Sequence, residues 1–200
     1  DFLPKLKSHL LGCILNIPYE GDEHMFPTKQ LLNVIIENDR LYLLKVLQIN
    51  YTSYDGWRCH DSLNPNTNSN FITSSHEDDD ISKANQHPLW YGRIVQILHV
   101  VVHHPRLLQP ERMDILWVRW FGRDTMFKAG FSQKRLHRIG FVAIDDDMSF
   151  AFLDPHEVIR AVHIIPAFHY GATATLEMSN VADTSEAKNK GKWQFYYVGM

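Results

Sequence analysis

Three histidines near the middle of the chain, His99, His103 and His104, form the densest local group of potential metal ligands. Imidazole is a common zinc ligand, so their spacing decides whether one ion could join them. The run around them is rich in β-branched residues, which predicts a strand. On a strand His99 and His103 share a face but lie about 13 Å apart. One ion cannot bridge that distance, and we expect no metal site here.

The carboxylates, thiols and glycines show no recognisable catalytic motif. A two-metal nuclease needs convergent carboxylates, and no spacing selects the available Asp61, Asp79, Asp114 and Glu157. Phosphate-binding GxxxxGK[ST] and GxGxxG loops do not occur, nor does a GxSxG nucleophile elbow. Cys13 is a single thiol in an apolar segment, which is more typical of a core. The sequence favours a non-enzymatic protein without a cofactor.

Aromatic side chains concentrate on two neighbouring predicted strands. Because side chains alternate along a strand, Trp117 and Arg119 share one face while Trp120 points to the other. Either the aromatic side chains on one face of the sheet lie outside the core, or both faces of the sheet are covered. The first interpretation makes an aromatic binding surface or a cage for a cation such as methyl-lysine, and the second makes both sets core. The candidate aromatic surface is Trp90, Tyr91, Trp117 and Trp120.

The segment from Arg119 to Arg138 holds the only basic concentration in the chain, with Asp124 as its one acid. Such a segment can contact phosphates, and a merely solvated basic face is the alternative. The candidate basic surface consists of Arg119, Arg123, Lys128, Lys134, Arg135 and Arg138.

Two long antiparallel strands must position these residues. The runs Ile94–Val102 and Ile115–Phe121 are dense in β-branched and aromatic residues. Prolines flank them, where strands tolerate proline. Before them, residues 1–17 carry apolar groups at three- and four-residue steps. This spacing predicts an amphipathic helix that turns Lys5, Lys7 and His9 toward solvent.

The remaining segments predict short elements and loops. A turn signal at residues 38–39 suggests a hairpin within Val34–Tyr42. Asp154 and Pro155 are a favourable start for a helical turn, because aspartate caps it and proline fits its first position. Before the central strands, we predict a strand over Leu41–Tyr54 and a polar loop over Asp55–Gln86 that a strand at Phe71–Thr73 interrupts. After them, we predict short strands at Phe141–Ile144 and Ser149–Leu153 and a last strand at Trp193–Val198. The helical turn that begins at Asp154 is expected to continue through Ile165.

Many short strands without regular β-then-helix alternation predict a mostly β fold. We expect a bent sheet or partly open barrel with an N-terminal helix and a few short helical turns. The expected organisation is an N-terminal helix and connection over 1–38, a β domain over 39–170, a flexible linker or loop over 171–192 and a truncated final strand over 193–200. The chain begins at Asp1 without a methionine, which indicates a fragment of a longer product.

The composition of the chain restricts its cellular compartment and the class of partner that it is expected to bind. Two distant cysteines exclude a disulfide scaffold and suit a reducing compartment. No apolar run is long enough to span a bilayer, so no membrane partner is expected. Because 20 Lys+Arg stand against 23 Asp+Glu, net charge gives no drive toward nucleic acid, and only the uneven distribution of charge could.

The central strands resemble those of a bromo-adjacent homology (BAH) domain. The resemblance covers roughly residues 40–168 and is carried by WYGRIVQI, LWVRWFGR and the later AFLDPHEVIRAVHIIP. Its main positions are Arg93, Ile94, Ile97, Val118, Arg119, Trp120 and Phe121. The resemblance implies a β-rich chromatin module that binds histone tails, nucleosomes or other proteins.

Nearly the whole chain also resembles an uncharacterised region of proteins encoded by fungal Plavaka-type (CACTA-like) DNA transposons. The carrying stretches are DFLPKLKSHLL, QINYTSYD, DSLNP, HPLWYGRI, MDILWVRWFGRD, RLHRIGFV, FLDPHEVIRAVHIIPAF and WQFYYV. In those proteins the region follows the transposase part, which implies no catalysis within it. The chain departs from the pattern at residues 56–60 and 169–170.

Together these features predict a non-enzymatic, nuclear, BAH-like module of a transposon-derived protein. Its expected partner is a histone tail, a nucleosome or another protein, with contact to the DNA backbone as an addition and no small-molecule cofactor. One alternative is part of a magnesium-dependent transposase or nuclease acting on DNA. A second alternative is a scaffold or dimerisation domain.

Overall fold

The computed structural model describes residues 2–17, 24–75, 87–172 and 193–199. Within these ranges the chain is mostly β-strand, with an N-terminal helix and several 3-10 turns, as the sequence predicts. The helices are α1 (Phe2–Ile14) and α2 (Thr28–Leu31). The strands of the first half are β1 (Ile35–Ile36), β2 (Tyr42–Leu44), β3 (Leu47–Thr52), β4 (Arg58–Leu63), β5 (Asn70–Ser74) and β6 (Leu89–His103). Those of the second half are β7 (Glu111–Arg123), β8 (Arg138–Phe141), β9 (Phe150–Leu153), β10 (Val158–Ala161), β11 (His163–Pro166) and β12 (Tyr196–Gly199).

The two predicted central strands are confirmed as the antiparallel hairpin of β6 and β7. Tyr91 lies opposite Phe121 near the open end, and the register shifts between Ile94 and Gln96. Such a bulge increases the local twist and bends the strand. The long hairpin therefore provides a curved platform on which the rest of the chain assembles.

Short strands line both outer edges of this hairpin. Along β6 the partners are β5, then β2, then β1, and along β7 they are β8 and β9. The hairpin predicted within Val34–Tyr42 is wrong, because β1 and β2 each pair with β6 instead of with each other. Of the two short strands predicted at Phe141–Ile144 and Ser149–Leu153, the second is confirmed as β9, but the first is misplaced, because β8 ends at Phe141. Both β8 and β9 pair with β7.

The sheet is open. Its strand order is β10-β5-β6-β7-β8-β12-β11, and the strands at its two ends do not pair with each other. Only Val162 separates β10 from β11 in the chain, so the sheet curls until its ends meet at this residue. The expectation of a bent sheet is confirmed, but the sheet does not close into a barrel.

The segment after Asp154 begins as predicted and then departs from the prediction. The Asp154 side chain accepts a hydrogen bond from the His156 backbone N–H at 2.8 Å, with Pro155 in the first turn. The helix does not continue to Ile165. The chain extends into β10 and β11 instead, because pairing with β5 and β12 satisfies the backbone of both strands.

Helix α1 and the β3–β4 hairpin cover opposite faces of the sheet. The helix contributes Leu6, Leu10 and Leu11 to a core with Leu98, Val100, Val102, Ile115 and Phe152. Val34 and Ile36 join that core, so both α1 and the segment that leads into β1 pack on the sheet. On the other face, Leu47 and Ile49 of β3 and Leu63 of β4 pack on a core that contains Ile94, Ile97, Leu116, Val118 and Trp120.

Three details in the N-terminal half of the chain differ from expectation. His9 does not face solvent: it is buried in α1, with its ring against Phe152 at a centroid distance of 6.1 Å. The polar loop predicted over Asp55–Gln86 contains β4 (Arg58–Leu63) before the confirmed strand at Phe71–Thr73. The strand predicted over Leu41–Tyr54 is divided into β2 and β3. The predicted linker lies almost entirely outside the described residues.

Candidate functional site

The aromatic residues of the central hairpin are part of the core on both faces. Tyr91 and Trp120 are only 2% and 7% exposed, so they cannot belong to a binding surface. Trp90 is half-buried with its ring 6.0 Å from that of Trp120. Trp117 is half-buried on the opposite face, in edge contact with Phe2 of α1 at 5.5 Å. Of the two predicted interpretations, a sheet covered on both faces is the correct one.

The cations that contact the aromatic rings of this sheet are its own arginines. The Arg119 guanidinium lies 4.1 Å from the centroid of Phe141 and 5.4 Å from that of Phe150. Arg93 lies 4.8 Å from the Phe141 centroid and 5.4 Å from that of Phe121. The rings that could have formed a cage for an external cation here are therefore already in contact with internal ones.

Arg93 and Arg119 lie directly opposite each other on β6 and β7. Like charges opposed across a sheet repel each other. Burial lowers the pKa of Arg93; Tyr196 partly offsets this effect and the neighbouring Arg119 adds to it. Burial also lowers the pKa of Arg119, and Tyr196 again acts in the opposite sense. Because guanidinium groups stay protonated in proteins, this face carries two adjacent positive charges.

The two arginines differ in their hydrogen bonds. Arg93 Nε donates to Asn70 Oδ1 at 2.8 Å. Arg119 Nε is buried and has no hydrogen-bond partner within the part of the chain that the structure describes. An unpaired buried donor is costly, and the uncommon native examples call for an explanation. Arg119 is thus an unusual member of the predicted basic set.

Three of the remaining predicted basic residues, Lys128, Lys134 and Arg135, belong to the connection between β7 and β8, residues 124–137, which we call the basic loop. They do not form one continuous cationic surface with Arg119. Arg138, directly after the loop, pairs with Asp124 through its Nη2 at 2.6 Å and its Nε at 2.9 Å. Arg123, directly before it, is half-buried. The exposed cations of the loop are Lys128, Lys134 and Arg135.

The basic loop has a defined internal structure. At its base the Asp124 backbone N–H donates to the Arg138 carbonyl at 3.0 Å, and Asp124 Oδ1 accepts from the Met126 N–H at 3.0 Å. Further along, the Gly130 N–H donates to the Arg135 carbonyl at 2.8 Å. Lys134 adopts a left-handed backbone with φ of 51°. The loop therefore presents its cations from a fixed turn.

Pairing with Arg138 neutralises the one carboxylate of the basic loop. Its exposed charge is consequently all positive, and exposed apolar side chains accompany it: Met126 is 90% exposed and Leu136 is 48% exposed. Mixed cationic and apolar exposure on a structured loop is typical of surfaces that contact another molecule.

The metal and nuclease candidates are distributed through the fold. The His99 ring stacks on Tyr42 at 4.7 Å, and His103 lies opposite Ile35. Asp61 accepts from the Ala161 N–H at 3.0 Å, and Asp114 pairs with Arg112 at 3.0 Å. Asp79 lies outside the described residues. Within the described ranges, no three histidine, cysteine or acidic side chains are grouped as they would be around a metal ion.

Comparisons with protein-family models, curated proteins and solved structures give no match for this chain. Among the described residues, no helix is long and apolar enough to cross a bilayer.

Four residues important to this site are absent from the sequence-based site prediction: Arg93, Phe141, Phe150 and Tyr196. A signal for Arg93 was present, because an arginine inside a strongly apolar strand needs a local reason to be there. The aromatic partners come from β8, β9 and β12, and only the strand order of the folded sheet brings them to the same face.

Proposed function

We propose that this chain is a non-enzymatic chromatin- or protein-binding module of a transposon-derived protein, resembling a BAH domain, and that the basic loop is its contact surface. The observation that carries the proposal is the pairing of Asp124 with Arg138, which leaves the exposed Lys128, Lys134 and Arg135 without a carboxylate partner among the described residues. A partner with acidic groups complements such a surface.

The burial of Tyr91 and Trp120 supports a contact outside the aromatic candidate surface. Because Tyr91 and Trp120 are core residues, substituting them would test folding more than binding. The exposed side chains of the basic loop can be changed with little effect on packing. The proposal therefore rests on the loop and not on the aromatic candidate surface.

The experiment compares wild type with a charge-reversed loop, Lys128→Glu, Lys134→Glu and Arg135→Glu. Binding would be measured to mononucleosomes, free DNA and histone-tail peptides over a range of salt concentrations, with and without Mg²⁺. A matched control reverses three exposed cations outside the loop: Lys29→Glu, Lys45→Glu and Arg106→Glu. Both variants have the same net charge, so a difference between them reports position.

We expect wild type and the control to bind nucleosomes or histone peptides and the loop variant to lose most of this affinity. Binding should weaken as salt rises, because displacing counterions contributes to it. Equal loss in both variants would reduce the effect to net charge and contradict the proposed surface. Binding to none of these partners, with self-association in solution, would favour the scaffold alternative, and Mg²⁺-dependent DNA cleavage would favour the nuclease.

A further inference from the structure

Strand β2 forms an outer edge of the sheet. Its Tyr42–Leu44 backbone pairs with β6, and among the described residues no second strand pairs with it. Because the N–H and C=O groups of consecutive residues point to opposite sides of a strand, the outer side of β2 presents backbone donors and acceptors. Native proteins commonly protect such an edge with a charge, a proline or a bulge, and β2 contains none of these.

The side chains along this edge are apolar and exposed. Leu43 is 67% exposed, and Leu41, Tyr42 and Val46 are exposed as well. Tyr42 is held in place by its ring, which stacks on that of His99 at a centroid distance of 4.7 Å. An added β-strand is recognised by free backbone groups together with contacts to its side chains. The occupant that fits this edge is therefore another extended strand.

Charged residues on both sides of β2 indicate which strand this is. Asp39 precedes β2 and Lys45 follows it, and both are exposed without an ion pair among the described residues. An antiparallel copy of the same segment places the acid of one chain near the base of the other at both ends, which is favourable across a sheet. The edge is thus complementary to itself, as a two-fold symmetric contact requires.

The order of these residues also selects the register of the pairing. A two-fold axis perpendicular to the sheet at Tyr42 brings Leu41 opposite Leu43 of the second copy and Asp39 opposite Lys45 of the second copy. A shift of the axis by one residue in either direction places a leucine opposite one of these charges instead. Of these three registers, the one centred on Tyr42 pairs apolar with apolar side chains and acid with base.

We propose that two copies of this chain associate by antiparallel pairing of their β2 edges, so that their sheets join. In this dimer Leu41 and Leu43 of both copies lie together on one face, and Asp39 and Lys45 form an ion pair at each end of the contact. The basic loop connects β7 to β8, at the opposite outer edge of the β6–β7 hairpin. The dimer is therefore independent of the proposed loop contact.

The test measures the molar mass of the intact chain by sedimentation over a range of concentrations. Asp39→Lys and Lys45→Glu each place like charges opposite each other in the dimer, and Leu43→Glu places a charge among the leucines. When Asp39→Lys and Lys45→Glu are mixed in equal amounts, opposite charges meet again at both ends. Leu108→Glu, at a fully exposed position in the β6–β7 turn, is the matched control for Leu43→Glu.

We expect wild type and Leu108→Glu to dimerise as the concentration rises, and the three edge variants to remain monomeric where wild type is a dimer. The equal mixture of Asp39→Lys and Lys45→Glu should restore the dimer, which misfolding of either variant could not produce. Wild type that stays monomeric, edge variants that dimerise like wild type, or a mixture that stays monomeric would overturn the proposal. Monomeric Lys45→Glu should keep the partner binding of the basic loop, so failure of one proposal is distinguishable from failure of the other.

Discussion

The ring of Phe71 occupies the space that a side chain at Gly92 would need. The two residues lie directly opposite each other on β5 and β6. A Cβ added at Gly92 would lie 2.6 Å from Phe71 Cε1, which is well inside van der Waals contact. Phe71 itself is fully buried and makes an edge contact with Trp120 at 5.8 Å. The glycine therefore allows an aromatic ring to close the core beside the bend of β6.

Gly92→Ala is expected to lower the free energy of unfolding by about 1–3 kcal/mol, because the buried ring must shift. Chemical denaturation measures the change. Phe71→Leu in the same background should recover part of the loss, since a smaller side chain relieves the overlap. Gly122→Ala on β7 is the matched control: its added methyl would meet nothing closer than 3.8 Å. Equal stability of Gly92→Ala and wild type would contradict the close packing.

His9 makes stability depend on pH. Burial lowers its pKa to about 4, partly offset by Asp154. Between this value and the ordinary value of 6.5, the unfolded chain binds a proton that the folded chain excludes. Stability should therefore be fully present above pH 6.5 and fall as the pH drops toward 4, by roughly 3 kcal/mol in total. Denaturation at a series of pH values tests this.

Replacing the buried imidazole isolates its share of the pH dependence. His9→Leu should flatten the loss of stability between pH 6.5 and pH 5, whereas His60→Gln, at an exposed position, should leave it unchanged. If wild type and His9→Leu lost the same stability over that interval, His9 would not be the responsible group. Cys13 Sγ lies 3.7 Å from His9 Nε2 and provides a partner for the neutral ring.

The Asp124–Arg138 pair should hold the base of the basic loop. Their side chains are 14% and 12% exposed, so removing one partner leaves a largely buried charge. We expect Arg138→Met to cost about 3 kcal/mol, near the lower end for breaking a buried pair. The double variant Asp124→Asn with Arg138→Met should cost less than the sum of the two single changes. Additive losses in this cycle would show that the pair is not coupled.

Asp61 should attach the β3–β4 hairpin to the main sheet. Its Oδ2 accepts from the Ala161 N–H at 3.0 Å, and Arg160 lies 4.1 Å over the Tyr51 ring. Asp61→Ala leaves the Ala161 donor unsatisfied, so we expect a loss of about 1–3 kcal/mol. Hydrogen exchange should increase most in residues 47–63. Uniformly increased exchange throughout the sheet would argue against a local attachment.

Sequence patterns predicted the elements whose own residues decide their structure. β6 and β7 are recognisable because both contain runs dense in β-branched and aromatic residues. β4 was missed because its partly buried position 61 holds an aspartate, which hides the alternation until its partner Ala161 is known. Val158–Ile165 has apolar spacing compatible with a helix, and only pairing with β5 and β12 decides for strands.

The candidate site was predictable to a smaller extent. The basic loop is visible as a run of positive charge, and Arg119 is part of that run. Arg119 is separated from the basic loop because its side chain points to the sheet face that α1 covers in part. The neutralisation of Asp124 and the unpaired donor of Arg119 depend on side-chain contacts. Tertiary structure decides such contacts, so composition could not show them.

The junction at Val162 has a consequence for the order of assembly during synthesis. The strands on its two sides pair with different partners. β10 pairs with β5, which is synthesised earlier, whereas β11 pairs with β12, which is synthesised later and ends at Gly199. In a nascent chain β10 can therefore pair with β5 while β11 still has an unpaired edge. Pairings between distant segments slow folding. We expect the last step to be the docking of β12 between β8 and β11, and until then the exposed edges are open to pairing with other chains.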